Sequence, residues 1–277
     1  MPPFCDLHIH TYYSDSTFSP EQVVEEAHNK GLGCIAITDH DTLEGVFPTI
    51  TAAKKYDLEV ITGIELSCEF RGKDIHLLAY LPGYEDSELQ KRITSFQDSR
   101  VLRMTEMIER LKDLGMGGIT LEEVCALTKS RSVGRPHLAK VMVEKGYVPN
   151  LKAAFDKYLA DDGPAYVGKF KLTPAEAIAL VRQSGGVSVL AHPMVTNCDE
   201  LIPQFVNAGL QGLEVYYPNV ITQVTDFYKG LAQKYNLLMT GGSDAHGKAK
   251  SYTYVGKTVV PYATVDLMKA RATGLVR

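Results

Sequence analysis

Residues 4–10, Phe-Cys-Asp-Leu-His-Ile-His, contain the pattern that decides both the fold and the chemistry of this chain. The apolar run predicts a β-strand over residues 4–9. Because side chains alternate along a strand, Asp6, His8 and His10 share one face, and two imidazoles on one face can bind the same metal ion. The wet face of an ordinary strand would show the same alternation, so the interpretation depends on the rest of the chain.

Short apolar runs alternate with longer amphipathic segments towards both ends of the chain, which is typical of βα units around a parallel sheet. The predicted strands are 4–9, 32–38, 59–64, 74–80, 187–190, 212–216, 237–240 and 255–260. The helices predicted between them are 20–30, 42–56, 174–184, 198–208 and 221–235. The middle of the chain favours helices without strands, at 88–114, 121–127, 136–145 and 151–159. This middle part reads as a helical insertion in an α/β barrel.

Composition excludes several classes of protein. The chain has 277 residues and 45% hydrophobic content, which is enough for a buried core, and a net charge of −4. This charge predicts no broad basic surface for duplex DNA. The five cysteines show no paired CxxC arrangement, so we expect reduced thiols in a cytoplasmic protein. We expect no export signal and no membrane anchor.

Six of the eight histidines fall in or directly after predicted strands, and this distribution is the strongest sign of function. They are His8, His10, His40, His76, His192 and His246. The carboxyl ends of barrel strands converge on one mouth, so side chains at these positions can meet. The sequence therefore predicts one metal site rather than separate buried histidines, which are the alternative for any one of them.

Acidic residues accompany these histidines. Asp39 comes directly before His40 at the end of an apolar run, where it could bind metal, orient a ligand imidazole or cap the next helix. Glu65 ends the next strand, and we predict that its carboxylate bridges two cations. Asp244 and His246 alternate after a glycine pair. Nitrogen and oxygen ligands without thiolates suit manganese, zinc or iron.

Four ordered motifs resemble those of the polymerase and histidinol phosphatase (PHP) family. They are Asp6-Leu7-His8-Ile9-His10, Thr38-Asp39-His40-Asp41, Ala191-His192-Pro193 and Ser243-Asp244-Ala245-His246, with Glu65 and His76 between them. The resemblance covers roughly residues 1–84 and 165–277. It implies a distorted seven-stranded (β/α) barrel of TIM-like form, with residues 85–164 as a helical insertion subdomain, and a trinuclear metal centre.

The resemblance also implies a ligand set for two or three divalent ions. The first ion would take His8, His10, Glu65 and Asp244, the second Glu65, His76 and His192, and the third Asp15, His40 and His246. Many family members have a histidine where this chain has Asp15, and an aspartate there resembles the phosphoesterase branch. This difference favours manganese, with zinc or iron as alternatives.

The insertion contains Gly134-Arg135-Pro136-His137, which resembles small PHP enzymes similar to nucleoside 3′,5′-bisphosphate phosphatases and 5′-to-3′ exoribonucleases. Arg135 is suited to hold a phosphate in a bidentate way, and His137 is a second donor at a helix start. A capped helix with an exposed arginine is the alternative. Lys169 is a further candidate for phosphate binding or a surface lysine. With Asp39, Arg135 and His137 are the predicted catalytic residues.

The expected activity is hydrolysis of a phosphate monoester of a nucleoside 3′,5′-bisphosphate, giving the 5′-mononucleotide, and shortening of RNA from its 5′ end. A histidinol-phosphate phosphatase would share the metal cluster, but the insertion with Arg135 argues against it. A non-catalytic metal-binding PHP module is the other alternative, and the intact ligand set argues against that. The sequence fits a small bisphosphate and a short RNA equally well.

Overall fold

The computed structural model describes residues 4–80, 87–168, 172–250 and 252–272. The described residues include eight strands: β1 (Phe4–Ile9), β2 (Cys34–Ile37), β3 (Glu59–Phe70), β4 (Lys73–Tyr80), β5 (Val187–Leu190), β6 (Gly212–Tyr216), β7 (Leu238–Gly241) and β8 (Val260–Pro261). They form one sheet in the order β7-β6-β5-β4-β3-β2-β1-β8.

The segment that follows β7 closes this sheet into a barrel by packing against β1. The backbone N–H of His10 donates to the carbonyl of Ala245 at 3.0 Å, and the carboxylate of Asp6 accepts the N–H of Ser243 at 2.8 Å. A Cβ atom at Gly242 would lie 2.3 Å from the backbone nitrogen of His8. Only glycine allows this close approach, so Gly242 sets the position of His8 in the closed barrel.

Strand directions differ from the repeating parallel pattern expected from the sequence. β1, β2 and β3 are parallel and so are β5, β6 and β7, but β4 pairs antiparallel with both β3 and β5. The turn between β3 and β4 is Arg71-Gly72, with φ angles of 53° and 77°. Two positive φ angles suit a tight hairpin turn, which leaves no room for the crossover helix that a parallel strand needs.

The strand predicted at residues 255–260 was wrong for most of its length. Within the described chain only Val260 and Pro261 pair there, antiparallel to Cys5 and Phe4 of β1. The residues before them turn at Gly256, which has a φ of +78° and donates its N–H to Asp6 at 2.8 Å. Val255 and Val260 are both buried, so the apolar pattern of this stretch reflects core packing more than strand pairing.

Eleven α-helices lie within the described residues. They are α1 (Pro20–Asn29), α2 (Val46–Ala53), α3 (Ser87–Asp113), α4 (Leu121–Cys125), α5 (Arg135–Glu144), α6 (Leu151–Ala154), α7 (Pro174–Gln183), α8 (Pro193–Thr196), α9 (Ile202–Asn207), α10 (Thr222–Lys234) and α11 (Ala263–Ala272). Capping boxes begin α1 at Ser19 and α7 at Thr173. None of the helices in the described ranges is both long and apolar enough to cross a membrane.

The helix α2 begins four residues later than the sequence pattern suggested. The hydroxyl of Thr42 accepts the N–H of Glu44 at 3.2 Å, a local hydrogen bond that competes with the helical one. Residues 39–41 instead continue the strand pairing beside Glu65, whose N–H donates to the carbonyl of Asp39 at 3.2 Å. This extension holds the His40 backbone next to β3.

Helices α3 to α6 pack around an apolar cluster of their own, which includes Met107, Leu111, Leu138 and Met142. Ala165 and Val167 also belong to this cluster, although the insertion was expected to end at residue 164. The other expected boundary, between residues 84 and 85, lies outside the described residues. The division of the chain into a barrel and an insertion subdomain therefore stays a prediction.

Candidate metal centre and adjoining cavity

Strand β1 brings His8 and His10 to the barrel mouth on one face, and both side chains are fully buried. Nδ1 of His8 lies 2.9 Å from Oε1 of Glu214, which also accepts the backbone N–H of His192 through Oε2 at 2.8 Å. The Glu214 carboxylate thus fixes the ring of His8 so that Nε2 faces the other acidic residues. Our sequence reasoning missed Glu214, whose signal is a charged residue in the middle of an apolar strand.

The buried carboxylate of Glu65 lies at the centre of the site. Its Oε2 lies 3.3 Å from Nε2 of His8, 3.2 Å from Nε2 of His10 and 3.3 Å from Nδ1 of His40, and its Oε1 lies 2.8 Å from Nδ1 of His76 and 3.1 Å from Nε2 of His192. Burial alone would raise the pKa of Glu65, but the imidazoles, foremost His40 and His76, hold it well below its usual range. The carboxylate is therefore ionised.

The antiparallel direction of β4 explains how His76 reaches this site. His76 lies near the start of β4 and pairs in register with Ser67 of β3. In a parallel strand the first residues would lie at the end of the barrel opposite the mouth. Because β4 runs the other way, its first residues lie at the mouth, beside the strand ends that carry His40 and His192.

Three groups of side chains have ligand atoms within 4.8 Å of one another. They are His8, His10, Glu65 and Asp244; His40, Glu65 and His76; and His10, Asp15, His40 and His246. The first group has the same members as the first predicted ion site. The second has His40 where His192 was expected, although His192 contacts Glu65, and the third adds His10 to the predicted set. The structure thus brings all nine predicted ligand residues together.

Several imidazole nitrogens in these groups, which could bind a metal ion, are buried without a well-formed hydrogen bond among the described residues. They include Nε2 of His10, Nδ1 of His40 and Nε2 of His246. Carboxylate oxygens are close nevertheless, at 3.2 Å from His10 and 3.1 Å from His246. Nitrogen and oxygen atoms that face a common point without bonding to one another fit bound cations, and the absence of thiolates fits manganese, zinc or iron.

Asp244 and His192 adopt positive φ angles of 49° and 27°, which are uncommon for residues with a side chain. Oδ2 of Asp244 accepts a hydrogen bond from the Tyr217 hydroxyl at 2.7 Å and one from Lys250 at 3.0 Å. These bonds leave Oδ1 directed at the imidazole of His10, 3.2 Å away. Strained backbone at two predicted ligands of one site is typical of a functional site.

Asp39 lies outside the three groups. Its Oδ1 accepts the N–H of Thr11 at 2.7 Å and the hydroxyl of Ser14 at 2.5 Å, and its Oδ2 accepts the Thr11 hydroxyl at 2.6 Å. Ser14 in turn lies 3.5 Å from Nδ1 of His10. The carboxylate of Asp39 therefore holds the loop that carries Asp15, and Ser14 links it to the imidazole of His10.

A cavity of about 170 Å³ opens beside the metal-binding groups. Asp15, His40 and His76 line one side, and Arg100, Arg103, Arg135 and His137 from the helices α3 and α5 line the other. Arg135 and His137, the predicted phosphate contacts, thus line the same cavity as three of the predicted metal ligands, and their role stays a prediction. Lys169, the third predicted phosphate contact, lies outside the described residues.

The arginines of this cavity differ in how well they are paired. Arg135 donates to the Leu159 carbonyl at 2.9 Å and to Asp161 at 2.6 Å. Arg103 donates from Nε to the Val167 carbonyl at 2.7 Å, whereas its buried Nη2 has no partner in the described chain. Burial, with the nearby charge of Arg135, lowers the pKa of Arg103 to about 10.

The guanidinium of Arg100 forms a buried ion pair with Asp41, and it also donates to the Ser67 hydroxyl at 2.8 Å. Burial alone would raise the pKa of Asp41, but Arg100 and the Ser67 N–H hold it below the ordinary value of 3.8. The sequence reasoning missed Arg100 and Arg103. Their signal is a pair of arginines three residues apart on one face of α3, which resembles an ordinary solvated helix surface.

His137 is the third residue of α5, and one nitrogen of its ring is already hydrogen-bonded. Its Nδ1 accepts the backbone N–H of Gly134 at 3.0 Å, so the proton of the neutral ring resides on Nε2. Burial lowers the pKa of His137, although a hydrogen bond to the Ser14 backbone opposes this effect. The Nε2–H is therefore a single neutral donor, and the Ser14 backbone engages it.

Comparison with known proteins agrees with this geometry. The sequence of residues 6–99 matches the PHP domain family. A 5′-3′ exoribonuclease from Haemophilus influenzae is 30% identical over 249 residues, which cover 87% of this chain and 89% of that protein. The chain belongs to the PHP family. It is accordingly a metal-dependent phosphoesterase, a hydrolase, as the motifs predicted.

Two further relatives bear on this PHP enzyme. A crystal structure from Bifidobacterium adolescentis, assigned as a metal-dependent phosphoesterase, superposes with a TM-score of 0.88 at 30% identity and covers 96% of both chains. The predicted α/β barrel of the PHP type is thereby confirmed. A 3′,5′-nucleoside bisphosphate phosphatase from Chromobacterium violaceum is 27% identical over 260 residues, covering 91% of this chain and 90% of that protein.

Proposed function

We propose that this PHP enzyme removes the 3′-phosphate of a nucleoside 3′,5′-bisphosphate and shortens RNA from its 5′ end by the same reaction. The observation that carries the proposal is the cavity in which three arginines face the candidate metal centre. A cavity with ligands for cations on one side and guanidinium groups on the other suits a molecule with two phosphates. The relative from Chromobacterium is named a 3′,5′-nucleoside bisphosphate phosphatase, and the relative from Haemophilus is named a 5′-3′ exoribonuclease.

The charge of the cavity supports an anionic ligand. Arg103 is 7% exposed, and its Nη2 has no partner among the described residues. A buried unpaired donor of a charged group is costly, and a phosphate oxygen would satisfy it with a charge-assisted hydrogen bond. Arg135 presents a second guanidinium, and His137, whose Nε2–H the Ser14 backbone also engages, lines the same cavity. We assign these three side chains to the 5′-phosphate.

We assign the nine clustered His, Asp and Glu residues to two or three divalent cations, manganese first and zinc or iron as alternatives. Glu65 would bridge, because its two oxygens face different imidazoles. When bound, such cations supply an activated water and neutralise the oxygens of the phosphate. Glu214 holds the His8 ring, and the hydrogen bonds to Asp244 from Tyr217 and Lys250 keep its other oxygen towards the centre.

In the proposed reaction the oxygen of water forms a new bond to the 3′-phosphorus, the bond from phosphorus to O3′ breaks, and O3′ gains a proton. The Arg103 and Arg135 guanidinium groups would hold the 5′-phosphate during this step and so fix the sugar beside the centre. Asp39 would act by positioning, through the loop that bears Asp15. The sequence predicted Asp39 as a catalytic residue, and we propose instead that it positions the loop and takes no direct part in the reaction.

The rival substrate, histidinol phosphate, has one phosphate and a positively charged amine. If its phosphate occupied the metal centre and its amine entered the arginine cavity, the amine would lie near Arg103 or Arg135, which is electrostatically unfavourable. A non-catalytic module is set aside, because the full-length relatives are enzymes. The expectations of a cytoplasmic location and of no duplex DNA partner stay predictions.

Phosphate release by manganese-loaded protein tests the proposal. The substrates are adenosine 3′,5′-bisphosphate, adenosine 5′-monophosphate, histidinol phosphate and a short 5′-phosphorylated RNA, the last followed by release of mononucleotide. We expect clear preference for the bisphosphate and the RNA. Equal or faster turnover of histidinol phosphate would leave the metal centre in place and overturn the assignment of the arginine cavity.

A further inference from the structure

A second cavity, of about 220 Å³, also opens onto the candidate metal centre. It shares His40 and His76 with the arginine cavity, and apart from Glu65 of β3 its remaining lining residues follow β5, β6 and β7. Val195, Tyr217 and Tyr252 line it. The candidate metal centre is therefore accessible from two sides with different chemistry. One side has several guanidinium groups, and the other has Val195, two tyrosines and Lys250 beside the predicted metal ligands.

The second cavity continues into an open groove of about 390 Å³. Val195 and Tyr217 line both spaces, and Ile221 lies farther along the groove. Large apolar side chains are uncovered here, with Val195 62%, Ile221 64% and Tyr252 59% exposed. An exposed apolar surface that is continuous with an active site is typical of a ligand subsite. We call the second cavity and this groove together the apolar track.

We propose that the apolar track binds the part of an RNA chain that lies 3′ of the scissile bond. This inference rests on the proposed function. A phosphodiester carries two ester oxygens. When the 5′-phosphate of the first nucleotide occupies the arginine cavity, its O3′ lies on that side of the phosphorus, so the second nucleoside needs a path on another side. The apolar track is that path.

The same bond changes then serve both substrates. Water oxygen bonds to phosphorus, the bond to O3′ of the first nucleotide breaks, and that O3′ takes a proton. The products are a 5′-mononucleotide and an RNA that is shorter by one and again carries a 5′-phosphate. In a bisphosphate the second nucleoside is absent, so the apolar track is used by RNA alone.

The side chains of the apolar track suit nucleobases without selecting among them. Every base has a flat aromatic face that can stack on a tyrosine ring, and stacking of this kind does not depend on sequence. Tyr252 offers an exposed ring at the mouth, and Val195 and Ile221 offer apolar surface beyond it. The phosphates that link the nucleotides of the RNA would remain in the open groove, in contact with solvent.

Two substitutions test the apolar track. Tyr252→Ala removes the stacking surface. Ile221→Asp adds a negative charge that repels RNA, and because Ile221 is the N-cap residue of α10, aspartate there should support folding. Leu267→Asp is the matched control, since Leu267 is a similarly exposed leucine (53%) on α11 that lines neither cavity of the metal centre.

The quantity measured is the ratio of kcat/KM for a 5′-phosphorylated triribonucleotide to kcat/KM for adenosine 3′,5′-bisphosphate. The loss of one stacked base should lower this ratio roughly 5- to 150-fold in Tyr252→Ala. Ile221→Asp should lower it in the same direction, and Leu267→Asp should leave it unchanged. Binding of fluorescently labelled RNA to chelator-treated protein, read by anisotropy, should weaken in the first two variants and not in the control.

Contrary outcomes separate this inference from the function on which it rests. An unchanged ratio in both variants, or wild-type protein that cleaves the bisphosphate but not the RNA, would overturn the apolar track and leave the bisphosphate assignment intact. Wild-type protein without activity on the bisphosphate would instead overturn the proposed function itself.

Discussion

Replacing Arg103 by methionine is the most informative single change in the arginine cavity. Methionine keeps a long unbranched stem but removes the guanidinium group. The fold loses one hydrogen bond to the Val167 carbonyl and loses a buried charge whose Nη2 lacks a partner in the described residues. These effects oppose each other, so we expect little change in the free energy of unfolding.

Substrate recognition should change far more. A hydrogen bond to a charged group contributes about 1.5–3 kcal/mol, which corresponds to a factor of roughly 10 to 150 in binding. Arg103→Met should therefore raise the KM for adenosine 3′,5′-bisphosphate by about this factor. The KM for p-nitrophenyl phosphate, which has no second phosphate, should remain nearly constant because only the metal centre holds it.

Steady-state kinetics with manganese-loaded protein measure both constants. Arg131→Met is the control, because Arg131 is 60% exposed and pairs with Asp98 on the surface. A KM for the bisphosphate that stays at the wild-type value, or an equal rise for both substrates, would refute the assignment of Arg103 to the second phosphate.

Three further changes test the barrel closure, the metal centre and a buried ion pair. Gly242→Ala should destabilise the protein by about 1–3 kcal/mol and reduce metal binding, since the new Cβ would displace His8. Gly230→Ala is the control, because its Cβ would meet open space in the interior of α10, and it should stabilise the protein by about 0.5–1 kcal/mol. Urea unfolding measures both changes. Asp244→Asn should lower the bound metal measured by elemental analysis, and chelation should lower the Tm of the wild type but change that of the variant less. Asp41→Asn should be less stable than the wild type at pH 7. The difference should shrink as the pH falls below 3.8 and through the lower pKa of the folded protein, because a lowered carboxyl pKa gives stability that is lost on protonation.

Each of these predictions has a contrary result. Gly242→Ala with unaltered stability would mean that the backbone at His8 can move without cost. Full metal content in Asp244→Asn would remove Asp244 from the ligand set. A stability difference for Asp41→Asn that stays constant from pH 7 to well below pH 3.8 would show that its carboxylate charge does not stabilise the fold.

The barrel strands and the candidate metal-ligand cluster were predictable because the sequence pattern of each is local. Strands such as β1 and β2 are short β-branched or apolar runs, and the histidines lie at their ends. His8 and His10 share a face by the two-residue period of a strand alone. Convergence at one mouth then follows from the architecture of an α/β barrel.

Features set by distant contacts were not predictable in this way. The reversed direction of β4 depends on the turn at Arg71 and Gly72, which no hydrophobic pattern reveals. Glu214 supports His8 from a strand more than two hundred residues away in sequence. Arg100 and Arg103 face the metal centre only because α3 packs with that side towards the barrel mouth.

A comparison of two nucleotides that differ by one phosphate tests the central claim most directly. The measurement is kcat/KM for release of the 3′-phosphate from adenosine 3′,5′-bisphosphate and from adenosine 3′-monophosphate, with the same manganese-loaded protein. Recognition of the 5′-phosphate by the arginine cavity predicts a preference for the bisphosphate of at least about tenfold. Equal values for the two nucleotides would contradict the claim that this cavity binds the second phosphate.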